Sequence, residues 1–399
     1  MMSHRQPEPL GTEVHDLGLR RLLQALHSGS GFHDVEESLL WAALDAAGVT
    51  GKWREAIIAA GGPATVFAHG TVSAFAEPGR RARLLDPEGI AARLHSLDPW
   101  LRGGGRVVAG IEEMRRFAAA PVMCFYGAGT GRVPGPHTPT VAVVGSRAAD
   151  AAYIEASARL SSLLAEAGVV VVSGGARGVD RAAHRSARLH SGAVVVVSPD
   201  IATHQPNEVD ADPALCWLSP FAPWTRPGRW LCVERNTWIA AAADVVIVIC
   251  GSASSGTRHT VDAALRLKRP VVTLGVKEGH GALSVMPRAL LEHGVGQQID
   301  DDVDVDALLA LRPLPGAHKA WGAFLKGRTP APTLPFSSAP ADDAPALLRL
   351  LRAAGGSLLI DEAAARLQTS VRALLVDAAA LELDGALRRE GALLCLVPR

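Results

Sequence analysis

Three short stretches of this chain combine glycine, hydroxyl and cationic residues in a spacing that suits an anion. Gly145-Ser146-Arg147 follows the apolar run Thr140–Val144, and Ser173-Gly174-Gly175-Ala176-Arg177-Gly178 follows Val169–Val172. The third, Gly251 to Thr260 with Ser255-Gly256-Thr257 at its centre, follows Asp244–Ile249. Glycine lets the backbone turn tightly and come close to a ligand. Ser146 can cap a helix and donate to a phosphate, and Arg147 offers a forked cation matched to phosphate oxygens. Three glycines in the five positions 174–178 allow a nest of backbone N–H groups. Neither a Gly-x-Gly-x-x-Gly dinucleotide fingerprint nor the Gly-Lys-Ser/Thr of a Walker loop is present. The phosphate such turns hold therefore need not belong to a nucleotide cofactor.

Other chemistry-bearing residues lie close by. Asp180 and His184 are four apart on one helical face, where they can serve acid–base chemistry or, more plainly, cap and support a helix. Arg181, Arg185 and Arg188 form a basic stripe that is either a solvated face or an extension of a phosphate track. Glu234-Arg235-Asn236-Thr237 opens a helix leading to another strand, so that Arg235 and Asn236 can face the same edge. Trp217, Trp224, Trp230 and Trp238 are half of the eight tryptophans, in a stretch with four prolines that reads as a loop. Trp224 and Trp230 are candidate platforms for stacked bases, against the alternative of core packing or a lid.

The elements that must position these residues follow from the apolar pattern. Five Val/Ile-rich strands, Thr140–Val144, Val169–Val172, Ala193–Val197, Asp244–Ile249 and Pro270–Leu274, alternate with helical segments. That is the signature of an α/β fold with a parallel sheet covered on both faces. The turns then fall outside the carboxyl ends of the strands, where ligands bind and where helix N-termini present N–H groups and positive dipole ends. Upstream, Val107–Ala109, a helix over 112–119 and Val122–Tyr126 read as a βαβ lead-in.

Length and composition bound the rest. A chain of 399 residues implies two or three domains. Forty Lys+Arg balance forty Asp+Glu, so any nucleic-acid site is a local patch rather than a general coat of positive charge. Five scattered cysteines with no Cys-x-x-Cys argue against a disulfide framework and a zinc site. With no membrane-length apolar run and no signal-peptide core at Met-Met-Ser-His-Arg-Gln-Pro, the expectation is a cytoplasmic protein without a membrane partner. The domain reading is a poorly ordered arm over 1–32, a small helical domain over 33–104, an α/β domain over 105–310, a Pro-rich linker over 311–343 and a C-terminal domain over 344–399. The linker stretch Leu311–Pro345 holds seven of the 26 prolines. In the last domain, helix, helix-turn-helix and a hairpin at Leu387–Gly391 and Leu393–Val397 give winged-helix order. Its would-be recognition helix carries Arg372 but also Asp377 and Glu382, poor in cations for reading DNA.

Val141-Ala-Val-Val-Gly-Ser-Arg147, Ser173-Gly-Gly-Ala-Arg-Gly-Val-Asp180 with Ala183-His184-Arg185, Arg235-Asn236, and Ser255-Gly-Thr257 with Thr260 together resemble the DNA-processing protein A (DprA/Smf) family in order and spacing. The similarity covers about Val107 to Gly294. It implies an extended Rossmann-like domain that binds single-stranded DNA in a basic pocket, helps load a RecA-type recombinase during uptake of foreign DNA, and forms homodimers. This sequence departs from the family pattern at Gly175, usually Leu, at Thr237 in place of the second Arg of Arg-Asn-Arg, and at Gln205-Pro206 in place of Tyr-Pro.

The leading expectation is a non-catalytic, cofactor-free binding protein in which Arg147, Arg177 and Arg235 neutralise successive phosphates. Backbone N–H groups at Gly174–Gly178 and Ser255–Thr257 then position those phosphates. Two alternatives stand beside it. The third loop is similar to the Pro-Gly-Gly-x-Gly-Thr-x-x-Glu motif of LOG-type nucleotide phosphoribohydrolases, but Thr260 occupies the position of the catalytic Glu. A sensor binding a small nucleotide in the same pocket is the other.

Overall fold

The computed structural model describes residues 17–75 and 87–326, apart from 130, 191, 200, 202–214, 227, 253–254, 276–280 and 301, and part of 347–396. The readings of Gln205-Pro206, of the linker beyond 326, and of Arg372, Asp377 and Glu382 lie outside the described residues. The chain divides into two compact units, Met1–Gly327 and Arg328–Arg399.

The first unit is built on a nine-stranded sheet in the order β1-β2-β6-β5-β4-β3-β7-β8-β9. Its central strands are β3 (Thr140–Val144), β4 (Val170–Ser173), β5 (Val194–Val197), β7 (Val245–Val248) and β8 (Val271–Leu274). They pair in parallel, and β6 (Leu215–Ser219) and β9 (Gln297–Ile299) extend the parallel array on either side. Every residue of those five central strands is buried, as expected where helices cover both faces. The two-residue period sends alternate side chains into two cores. Ala142, Val144, Val172 and Val248 face one, with Val141, Val143, Val171 and Ile247 in the other.

At the far edge, β1 (Arg106–Val108) and β2 (Phe125–Ala128) pair antiparallel, and β2 is antiparallel to β6. The expected βαβ unit is thus a strand pair instead. Its helix, Ile111–Arg115, is a single turn of five residues, too short for the crossover that returns a parallel strand. The Trp-rich stretch is also more regular than a loop, because Trp217 lies within β6 and the helices Arg229–Glu234 and Asn236–Ala242 follow.

Short helices before β1 pack against this edge. Leu17–Ser28, in the stretch expected as an arm, is amphipathic and buries Leu19, Leu22, Ala25 and Leu26. Its core includes Trp41, Leu44, Ile57 and Leu94 and reaches Tyr126 and Ala128 of β2. Arg54 lies 4.1 Å from the Trp41 ring centroid and donates to the carbonyls of Met123 and Ala109, joining helix to sheet. Part of the stretch expected as a linker is likewise structured. The helix Ala317–Lys326 places Trp321, fully buried, in the core beside Ala263, Ala264 and Leu290.

In the second unit, β10 (Ser357–Leu359), β12 (Leu393–Leu396) and β11 (Leu387–Glu390) form an antiparallel sheet in that order. The helix Ile360–Arg366 follows β10, and Leu347, Leu351, Leu358, Ala363, Leu374 and Leu394 share a core. The β11–β12 pair occupies the place expected for the hairpin, and β10 adds a strand not expected from the sequence.

Candidate nucleic-acid interface

The three glycine- and hydroxyl-rich turns leave the carboxyl ends of β4, β3 and β7, which are consecutive neighbours in the sheet. The chain reverses its direction of winding between β3 and β7, so a crevice opens at this topological switch point. Two of the turns pack directly on one another. A Cβ on Gly145 would lie 2.6 Å from the Val179 side chain, and one on Gly178 would collide with the Ser146 carbonyl. Gly178 also has φ 80° and ψ −132°, a conformation natural only to glycine. The Val179 N–H donates to the Ser146 carbonyl at 3.3 Å. The helix Val179–Leu189 therefore starts against the first turn.

Beneath the 174–178 turn lies a group of buried polar side chains. Ser173 donates to the Val143 carbonyl at 2.7 Å, tying β4 to β3. The Asp180 carboxylate accepts the N–H groups of Gly174 at 3.2 Å and Ala176 at 3.4 Å, which leaves those two donors engaged from below. Burial raises the pKa of Asp180, opposed by the charge of Arg235 and by these N–H donors. Arg235 is 4% exposed and donates to the Val197 carbonyl at 2.8 Å. Its guanidinium lies so close against Gly174 that a Cβ there would overlap it. Burial lowers the pKa of Arg235 while Asp180 opposes that shift, and a guanidinium keeps its charge through such changes.

His184 is buried beside them, and burial and then the charge of Arg235 push its pKa down to about 3. It is a neutral side chain at physiological pH, and its Nε2 has no hydrogen-bond partner. Asp180 and His184 thus share an enclosed helical face that supports the turn from inside.

The cations at the surface are Arg147 and Arg177, both exposed on the paired turns. Ser146 accepts the Ala148 N–H at 3.1 Å and opens the first turn toward the helix Ala151–Glu166. In the third turn, Ser255 donates to Thr257 Oγ1 at 2.8 Å and accepts the Thr257 N–H at 3.1 Å, while Gly256 is exposed and has no atom near its Cβ position. Thr257, Thr260 and Asn236 are buried. The predicted residues are therefore brought together at one edge in two layers. Gly145, Ser146, Arg147, Gly175, Arg177, Gly178, Ser255 and Gly256 reach the surface at least in part. Ser173, Gly174, Asp180, Arg235, Asn236, Thr257 and Thr260 lie behind them.

The two candidate stacking rings differ. Trp224 packs edge-on against Tyr126 at 5.6 Å, whereas Trp230 is 51% exposed with Phe221 edge-on at 5.6 Å. Cys250, which sequence reasoning did not single out, buttresses the first turn through a hydrogen bond with the Ser146 backbone, and burial pushes its thiol up to about 11. Its only signal in the sequence is its place at the end of a buried strand. Among the described residues, no group of His, Cys, Asp and Glu side chains could hold a metal ion, and no helix is long and apolar enough to cross a membrane.

Residues 111–289 match the family described as DNA recombination-mediator protein A. The DNA processing protein DprA of Mycobacterium tuberculosis is 31% identical over 252 residues, which is 55% of this chain and 64% of the relative. The chain thus spans a little under two thirds of the length of the curated relatives it matches. Among solved structures, DNA processing protein A of Helicobacter pylori, described for its single-stranded DNA binding mode, aligns at TM-score 0.43 and 23% identity over 51% of this chain and 94% of its own. DNA processing protein A of Streptococcus pneumoniae aligns at TM-score 0.48 and 20% identity over 64% of this chain and 92% of its own. The matched stretch lies over the sheet whose edge carries the three turns, so residues 111–289 of this chain are similar to the DprA family.

Proposed function

We propose that the protein binds single-stranded DNA through its phosphates at the carboxyl edge of the parallel sheet and takes part in DNA processing. The observation that carries this reading is the convergence of three glycine- and hydroxyl-rich turns on adjacent strands, with Arg147 and Arg177 exposed on the two that pack together. Arg147 and Arg177 pair with successive phosphates, and the Ser146 hydroxyl and the N–H groups of Gly175, Gly178 and Gly256 position the strand. Arg235 contributes from below as a fixed positive charge under the 174–178 turn. Contacts of this kind hold a backbone and leave its bases unread, so binding is tolerant of sequence. Trp230, exposed close to the Arg235 junction, is the better of the two candidates for stacking a base.

The reading extends to a non-catalytic mediator, active as a homodimer in the cytoplasm, that hands single strands to a RecA-type recombinase, with a winged-helix-like C-terminal unit serving protein contacts. The enclosed Asp180 and His184 favour it over nucleotide hydrolysis, since neither side chain meets solvent at the site. The discriminating experiment displaces a fluorescent single-stranded oligonucleotide with unlabelled competitors. An oligonucleotide is expected to compete at far lower concentration than any nucleoside monophosphate. Equal competition by a mononucleotide would turn the assignment to the small-nucleotide sensor, and release of ribose phosphate from it, lost on Asp180→Asn, to the phosphoribohydrolase.

A further inference from the structure

The helix Val179–Leu189 that starts at the second turn carries a row of positive charge on its outer face. Arg177 just before it, and Arg181, Arg185 and Arg188 along it, are all exposed. Five arginines elsewhere on the surface sit one helical turn from a carboxylate that pairs with them. Arg102 pairs with Asp98, Arg115 with Glu112, Arg159 with Glu155, Arg266 with Asp262 and Arg366 with Glu362, all at 2.6–3.2 Å. Among the described residues, Arg181 and Arg185 have no such partner, because the positions one turn away hold other arginines or uncharged side chains, and Arg177 has only the buried Asp180 three residues on, whose carboxylate is taken by the Gly174 and Ala176 N–H groups. The sole acid of this helix, Asp180, is buried and turned under the 174–178 turn. On the neighbouring helix Ala151–Glu166, Glu155 holds Arg159 and Glu166 holds His190 at 2.9 Å. Like charges at i, i+4 destabilise a helix by about 0.2–0.5 kcal/mol per pair. A chain with forty acids to place has left this face without one.

We propose that this face is a continuation of the single-stranded DNA path, so that a strand entering at the 174–178 turn runs on along the helix with Arg181 and Arg185 each neutralising a further phosphate. The inference rests on the DNA-binding reading of the sheet edge and adds to its length. Arg177 belongs to both the turn and the row, which makes the two surfaces continuous. Arginines four residues apart step along a helix by about 6 Å, a scale that successive phosphates of an extended strand can follow.

The test compares wild type with Arg181→Ala/Arg185→Ala on oligothymidylates of about 6 and about 25 nucleotides, by anisotropy at several salt concentrations. On the long strand the double variant is expected to lose about 1.4 from the log–log salt slope, about 0.7 for each phosphate, and on the short strand nothing. Arg181→Lys/Arg185→Lys is expected to keep the slope of wild type, and thermal melts of the exposed variants to match or exceed it. An unchanged slope on the long strand, with Arg147→Ala weakening both lengths, would overturn the continuation and leave the sheet-edge site standing. Equal losses on both lengths would also overturn it, since the row would then act within the same footprint. Absence of wild-type binding to either length would remove the sheet-edge reading itself, and this one with it.

Discussion

At the scale of single residues, the site depends on where a side chain is forbidden as much as on where one is present. Gly178 joins the two turns because its positive φ and its contact with the Ser146 carbonyl exclude a Cβ. Replacing it with Ala costs about 1–3 kcal/mol for the conformation alone, and relieving the clash must part the turns. Gly178→Ala is therefore expected to lower both melting temperature and DNA affinity. Gly256, with a helical conformation and open space around its Cβ position, serves as the control, and Gly256→Ala is expected to change stability by less than about 0.5 kcal/mol. Chemical denaturation of the two variants checks the contrast, and equal stability would contradict the packing described. The glycines and Arg147 were legible in the sequence because turn chemistry is local. Arg235 was legible as a residue of this edge but its burial was not, since its chemical type suggests a surface contact and only the fold reveals that Val197, Gly174 and Asp180 enclose it.

At the scale of elements, the five central strands could be read from the sequence because burial on both faces writes itself as unbroken Val/Ile runs. The edge was harder. β6 lies among prolines and tryptophans that locally favour a loop, and β2 pairs antiparallel through contacts that no local period encodes. The helix Ala317–Lys326 owes its place to distant partners, so its flanking Gly and Pro masked it. Beside the Arg54 hydrogen bonds, a buried side-chain pair joins the N-terminal helices to the sheet. Tyr126 of β2 donates to the Asp45 carboxylate at 2.8 Å, and burial raises that carboxyl to about 6 from 3.8, opposed by the tyrosine hydroxyl. A carboxyl whose pKa is higher folded than unfolded stabilises the fold fully below its unfolded value and loses that contribution as pH rises through its folded one. The loss attributable to Asp45 falls between about pH 4 and 6. Asp45→Asn is expected to be about 1–2 kcal/mol more stable than wild type at pH 7 and to differ little from it at pH 4. Denaturation across this range measures the difference, and a gap independent of pH would contradict the assignment.

At the scale of the whole molecule, a chain with no net charge carries exposed arginines at one edge of a parallel sheet and along the helix that starts there. Binding that depends on such a patch is electrostatic, local and sensitive to salt. DNA binding as proposed requires that phosphates meet Arg147 and Arg177 at that edge. The most direct measurement is the salt dependence of single-stranded DNA affinity for wild type and for Arg147→Ala/Arg177→Ala on one oligonucleotide. Weaker binding is expected in the double variant, with a log–log slope shallower by about 1.4, one phosphate for each arginine. A slope identical to wild type would place the DNA elsewhere on the protein.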